Sequence, residues 1–168
     1  RGWCEAHDEE TRAAGLRVAG VLKEIDFAGH QEIGAPGTVI LNAEAAQLQR
    51  ERVEEHPDQF GEDVLGNLRR GLEVKAIDYL RDLEERERLA DEVELAMEGV
   101  DAILVPATPR VAPLIEESEG VRPLMTRFTR PFNVTGQPIV TRPAPSRGRP
   151  VGSQVAGHYG EAARVTGM

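Results

Sequence analysis

The chain has 168 residues, 29% of them charged and 40% hydrophobic, with a formal net charge of -9. One domain with a real core fits that length. The acidic balance argues against nucleic acid or an anionic membrane surface as partner, since both require a basic face. No apolar run reaches the roughly 18 residues that span a bilayer. Arg1-Gly2-Trp3-Cys4 carries no apolar leader, and an opening residue other than Met reads as a piece of a longer or processed product. A single cysteine, Cys4, excludes an internal disulfide framework and makes a reducing, cytoplasmic setting the expectation.

The two halves of the chain differ. Residues 1–100 carry 24 of the 29 acids and a net charge of -12; residues 101–168 carry +3 and nine of the 11 prolines. No polar linker separates them. The expectation is one partial domain over residues 1–168, a helical acidic layer through residue 100 followed by Pro/Gly-rich strands and loops.

In chain order, Asp8, Glu9 and Glu10 suit the start of a first helix, which Ala14, Val18, Val21, Leu22 and Ile25 continue as an apolar stripe. Gly29 and Gly34-Ala35-Pro36-Gly37 break the chain. A second helix is predicted from about Thr38 to Pro57, with Leu41, Ala45 and Leu48 on its apolar face. The longest helix is predicted from about Val74 to Glu98. Val74, Ile77, Leu80 and Leu83 open its stripe, and Ala90, Val93, Met97 and Val100 continue it. Glu84 to Arg88 interrupts it as a solvated turn with local ion pairs.

After Val100 the period changes. Ala102-Ile103-Leu104-Val105 is an unbroken apolar run stopped by Pro106, the pattern of a strand buried on both faces. Pro138 to Thr141 and Val151 to Val155 read as two more strands, with a loop over Arg142 to Pro150. Gly157 to Met168 reads as the start of a helix. Helices before and strands after imply an α/β layered sheet.

Self-contained catalytic motifs are absent. The serines, Ser118, Ser146 and Ser153, sit in no Gly-x-Ser-x-Gly turn, and there is no Gly-rich phosphate loop. His7, His30, His56 and His158 show no metal-ligand spacing, so no metal site is expected.

The residues that carry a signal lie mostly after Val100. Asp101-Ala102-Ile103-Leu104-Val105-Pro106-Ala107-Thr108-Pro109, then Ala112-Pro113, resembles a late strand of the amidase signature family. Phe128-Thr129-Arg130-Pro131-Phe132-Asn133-Val134-Thr135-Gly136-Gln137-Pro138 resembles its Asn-x-x-Gly-x-Pro segment. Gly148 to Gly157 resembles its Gly-Leu-Pro-x-Gly-x-Gln run, with Arg149 and Ser153 as departures. Upstream, Gly71, Asp78-Tyr79 and Arg86 match spaced positions of the family. Each position also admits a plain structural reading, in which Pro106 would end a strand, Thr129 would cap a turn that Pro131 enters, and Gly136 would permit a left-handed residue.

The resemblance implies the C-terminal portion of a layered α/β/α fold, a mixed sheet covered by helices, in a hydrolase that cleaves carboxamides through a serine acyl-enzyme with no metal or organic cofactor. The family's serine–cis-serine–lysine machinery belongs to a Gly/Ser-rich segment and a lysine that these residues do not contain; Lys23 and Lys75 lie in helical segments. This chain alone is therefore expected to be inactive. The family's amidotransferase members often place an Asp just before the Asn-x-x-Gly-x-Pro segment. Met125-Thr126-Arg127 stands there instead, which favours a generic amidase acting on a small-molecule amide, with no nucleic-acid or membrane partner and with homo-oligomerisation possible. The rival is a non-catalytic acidic remnant or interaction module.

Loops beyond strand ends hold substrates in open α/β sheets. Thr126, Phe128, Thr129 and Asn133 are accordingly the candidate pocket wall. The alternative for Phe128 and Phe132 is that they are the chain's own core.

Overall fold

In the computed structural model, residues 25, 34–117, 121, 124–144 and 149–167 are described. The first predicted helix, with its stripe from Ala14 to Leu22, lies outside them, as do Ser118 and Ser146.

Helix α1 runs Gly34–Glu55. It starts before the predicted Thr38, because Gly34-Ala35-Pro36-Gly37 is its first turn and not a break. A proline there sacrifices no intrahelical donor, and the Thr38 hydroxyl folds back to donate to the Gly34 carbonyl at 2.9 Å. Pro57 ends the helix by forcing His56 out of helical geometry. A short 3-10 turn, Pro57–Gln59, leads to α2, Glu62–Leu72. The sequence pattern predicts no element there, although the ends are well marked: Glu62 and Asp63 stand in the first turn, Arg69 and Arg70 in the last. Helix α3 spans Ala76–Ala96. Arg88 bridges Glu85 and Glu92 on its surface, which is the local ion pairing expected of the Glu84–Arg88 interruption. Gly99, at φ 76°, closes the turn beyond it.

Strands β1 (Ile103–Pro106), β2 (Ile139–Ala144) and β3 (Val151–Ala156) form one sheet of order β1-β3-β2, with both pairings antiparallel. Ile103 and Ile139 both stand opposite Ala156, on either side of the central strand. β2 continues to Ala144, so the predicted loop from Arg142 begins too early. An edge strand tolerates Pro143, whose missing N–H would otherwise break a ladder bond. Between β1 and β2 lie a 3-10 turn, Ile115–Glu117, and helix α4, Arg130–Thr135, which ends at left-handed Gly136 (φ 84°). Helix α5, Ala162–Thr166, follows β3.

The core joins Leu89, Val93 and Met97 of α3 to Ile103 and Val105 of β1, Ala156 of β3, and Phe128 and Phe132; Ile25, Val100, Val134 and Ile139 pack around it.

Two predicted helix faces are corrected. On α1, Leu41 and Leu48 are 62% and 83% exposed, while Pro36, Ile40, Ala46 and Val53 are buried. The crossing with α2 explains this. The Gly71 backbone approaches so near that a Cβ there would overlap the Asn42 carbonyl oxygen and lie 2.7 Å from the Ala46 Cβ. Small residues make the closest approach of two helix backbones possible, and α1 therefore turns its small-residue side inward and its leucines out. On α3, Ile77 and Leu80 are 70% and 54% exposed, and buried Asp82 takes their expected place, with Arg81 Nε donating to it at 3.2 Å. The N-terminal half of α3 meets α1 through a polar contact, the Tyr79 hydroxyl donating to Glu44 at 2.9 Å.

Candidate functional site

The segment from Leu124 to Gly136 is held by aromatic burial and by one glutamine. Phe128 and Phe132 are fully buried in the core. Gln154, on central strand β3, is also buried. Its Nε2 donates to the Pro106 carbonyl at 3.1 Å and to the Phe128 carbonyl at 3.3 Å. One side chain thus fixes the end of β1 and the middle of the Leu124–Gly136 segment. Buried carbonyls demand a donor, and a long amide projecting from the middle strand reaches both.

Of the four predicted pocket-wall residues, Phe128 points into the core. Thr126 and Thr129 are half-buried and Asn133 is exposed. They share one short stretch: the Thr126 carbonyl accepts from the Arg130 N–H at 2.9 Å and from the Thr129 hydroxyl at 3.3 Å, and the Asn133 N–H donates to the Thr129 carbonyl at 3.4 Å. Thr129 precedes Pro131 at the start of α4, but its hydroxyl turns back to Thr126 and makes no side-chain cap. Arg130 reaches across to α1, donating to the Thr38 hydroxyl at 3.1 Å.

A second polar cluster has no counterpart among the sequence motifs. Glu94 of α3 accepts from His158 Nδ1 at 2.8 Å and, through its other oxygen, from the Tyr159 N–H at 2.8 Å and Gln137 Nε2 at 3.3 Å. His158 Nε2 lies 3.0 Å from the Val100 carbonyl. The Glu94 bond, then the Val100 contact, hold the His158 pKa above its ordinary 6.5. For Glu94, burial is the largest single influence and acts upward, but the bonds from His158, Tyr159 and Gln137 together outweigh it and leave the carboxyl below its ordinary 4.5. Glu94 and His158 are 64 positions apart, so no local spacing signals them. Gln154, by contrast, stands out in sequence as a long polar residue inside a strand pattern.

Ser153 is 2% exposed and cannot meet an external substrate. No group of three or more His, Cys, Asp or Glu able to hold a metal occurs among the described residues, and no described helix is long and apolar enough to cross a membrane.

A sequence model described as Amidase matches residues 35–165. The A-type chain of the glutamyl-tRNA(Gln) amidotransferase from Rickettsia bellii is 34% identical over 108 residues, 58% of this chain and 22% of that protein. A crystal structure of an amidase superposes with a TM-score of 0.88 at 30% identity, covering 98% of this chain and 42% of the other. The corresponding amidotransferase chain of Thermotoga maritima gives a TM-score of 0.73 at 23% identity over 96% of this chain and 38% of that one, a likeness of fold. The chain thus spans about two fifths of these solved structures and about a fifth of the curated relative. The fold is that of the C-terminal part of amidase-signature enzymes, and the chain belongs to the amidase family.

Proposed function

We propose that this chain is the C-terminal part of an amide hydrolase that opens carboxamide C–N bonds through a serine acyl-enzyme. The family match over residues 35–165 carries that reading. The nucleophilic serine, its cis-serine partner and the lysine would come from a segment outside these 168 residues, and this chain would add the last strands, the outer helices and one wall of the acyl pocket. In such a mechanism the serine attacks the carbonyl, backbone donors stabilise the tetrahedral oxyanion, the amine leaves, and water releases the acid; no metal or cofactor enters.

The pocket wall in this proposal is Thr126, Thr129 and Asn133, with Phe128 as the buried anchor that fixes their backbone. A generic amide is favoured over glutamine because Met125-Thr126-Arg127 supplies no carboxylate before the Asn133 segment. The Rickettsia relative supports the glutaminase alternative, so both substrate classes belong in the test.

The chain is assayed alone and joined to the coding sequence that precedes it. Ammonia release is followed from aliphatic amides, aromatic amides and glutamine. The chain alone should give no turnover above a buffer blank, and the longer protein should release ammonia from a non-glutamine amide. Turnover by the chain alone that survives re-purification, or a longer protein inert on every amide, refutes the proposal.

A further inference from the structure

His158 stands where three parts of the chain meet. Its Nδ1 faces Glu94 on α3 at 2.8 Å, and its Nε2 faces the Val100 carbonyl, in the turn between α3 and β1, at 3.0 Å. Both neighbours are acceptors. A neutral imidazole carries one N–H and one lone pair. With its proton on Nε2 it turns a lone pair toward the Glu94 carboxylate; with its proton on Nδ1 it turns one toward the Val100 oxygen. Only the imidazolium, with two N–H groups, donates to both.

Contacts beyond the ring tie the same segment to its neighbours. The adjacent Tyr159 N–H donates to Glu94, and the Tyr159 ring lies over Gly136, where a Cβ would come within 3.2 Å of it. The same Glu94 oxygen holds Gln137 at 3.3 Å. The Gly157 N–H donates to the Pro138 carbonyl at 3.0 Å, and Val165 of α5 is buried against Gly157. The stretch from Gly157 through α5 is thus fastened to α3 through the Glu94 carboxylate, and to Gly136–Pro138 through the Gly157 N–H and the Tyr159 ring.

We propose that His158 is a proton-operated latch: protonated, it fastens the segment Gly157–Thr166 to α3 and to the Gly136–Pro138 strand entry, and loss of the proton releases that segment. The charged groups around it favour the proton. Glu94 faces the ring from α3 and Glu161 from the start of α5. Asp101, before β1, is paired with Arg164, which also donates to Glu161 at 3.2 Å. The raised His158 pKa agrees in direction. The sign follows from linkage. A group whose pKa is raised in the fold stabilises fully below its unfolded value, near 6.5, and that contribution is lost as pH rises through the higher folded value. Release is therefore an alkaline event. The latch stands or falls separately from the amide-hydrolase reading.

The test uses the intact chain. The imidazole of His158 is titrated by NMR, and amide exchange is followed across the same pH range at Gly157, Val165 and Gly167, with Leu89 in α3 as control. After correction for intrinsic exchange, protection at the three amides should fall about fivefold or more, the magnitude of one charge-assisted bond discounted for partial exposure. The midpoint should match the imidazole's and lie above 6.5, and Leu89 should show no step. In His158→Gln the step should vanish, with protection near the alkaline level of the wild type. Should that variant not fold, the coincidence of the two wild-type midpoints decides. An imidazole midpoint at or below 6.5, or protection that stays flat through the titration, overturns the latch.

Discussion

Gly71→Ala sets two effects of opposite sign against each other. Helix propensity alone predicts a gain of up to about 1 kcal/mol for Gly→Ala inside a helix. At Gly71, however, the new Cβ would overlap the Asn42 carbonyl oxygen and lie 2.6 Å from its carbon and 2.7 Å from the Ala46 Cβ. Two of those atoms are backbone, locked in the α1 hydrogen-bond ladder, so no rotamer change clears them. The helices must part by roughly 1 Å, and overpacking of this kind costs about 1–3 kcal/mol, reaching the upper end where backbone must move. The net expectation is a loss of about 1–2 kcal/mol, or roughly 2–8 °C in Tm at this chain length. Gly66→Ala, in the same helix, is the control: its Cβ meets nothing closer than the flexible end of Arg70 at 3.7 Å, so the propensity gain should survive at about 0.5–1 kcal/mol. Urea denaturation of both variants, followed by far-UV circular dichroism, measures the pair. Ala46→Gly added to Gly71→Ala should recover only part of the loss, since the Asn42 carbonyl remains. A Gly71→Ala chain as stable as wild type would refute the close crossing, and with it the explanation for the outward leucines of α1.

Phe128→Ala should cost about 3–5 kcal/mol by urea titration, because a fully buried ring leaves a cavity between α3 and β1. Gln154→Leu should cost about 1–3 kcal/mol, since the Pro106 and Phe128 carbonyls each lose the bond from Gln154; exchange-rate changes centred on residues 124–136 would locate the effect. Leu48→Lys should change stability by less than about 0.5 kcal/mol, whereas a substantial loss would return Leu48 to the core. Glu94, held below its ordinary pKa, stabilises the fold above about pH 4.5. That contribution is lost as pH falls through the depressed value, so an acid titration of Glu94→Gln should show a shallower loss than wild type below pH 4.5.

The strands are legible in sequence because their signals are local. Ile103 to Val105 is an uninterrupted apolar run, and Pro106 stops it. Helix identity is also legible where charge and apolar spacing agree, as in α3. Helix faces are not. Leu41, Leu48, Ile77 and Leu80 look like core by type and spacing, but the crossing at Gly71 and the Tyr79–Glu44 contact set the rotation of α1 and of the start of α3, and both depend on partners distant in sequence. Helix α2 is hidden because Gly66 and Gly71 resemble breakers; one of them is the packing contact. At the candidate site, the motif around Asn133 lies in the segment that Gln154 holds, and aromatic burial decides that Phe128 faces inward. The Glu94–His158 pair joins residues whose only relation is tertiary.

The order β1-β3-β2 has a kinetic meaning. Of the three described strands the middle one is made last, and β1 and β2 do not pair with each other. During synthesis both earlier strands leave the ribosome before β3, the partner that they share among the described residues, and Ile103 meets Ala156 only after β3 is made. Closing so long a loop is entropically slow, and unpaired apolar strands are exposed to misassociation meanwhile. A chain stopped short of Val151 would carry every hydrophobic residue of β1 and β2 without the strand that joins them, so among the described strands the exposure to chaperone capture lasts until β3 has emerged.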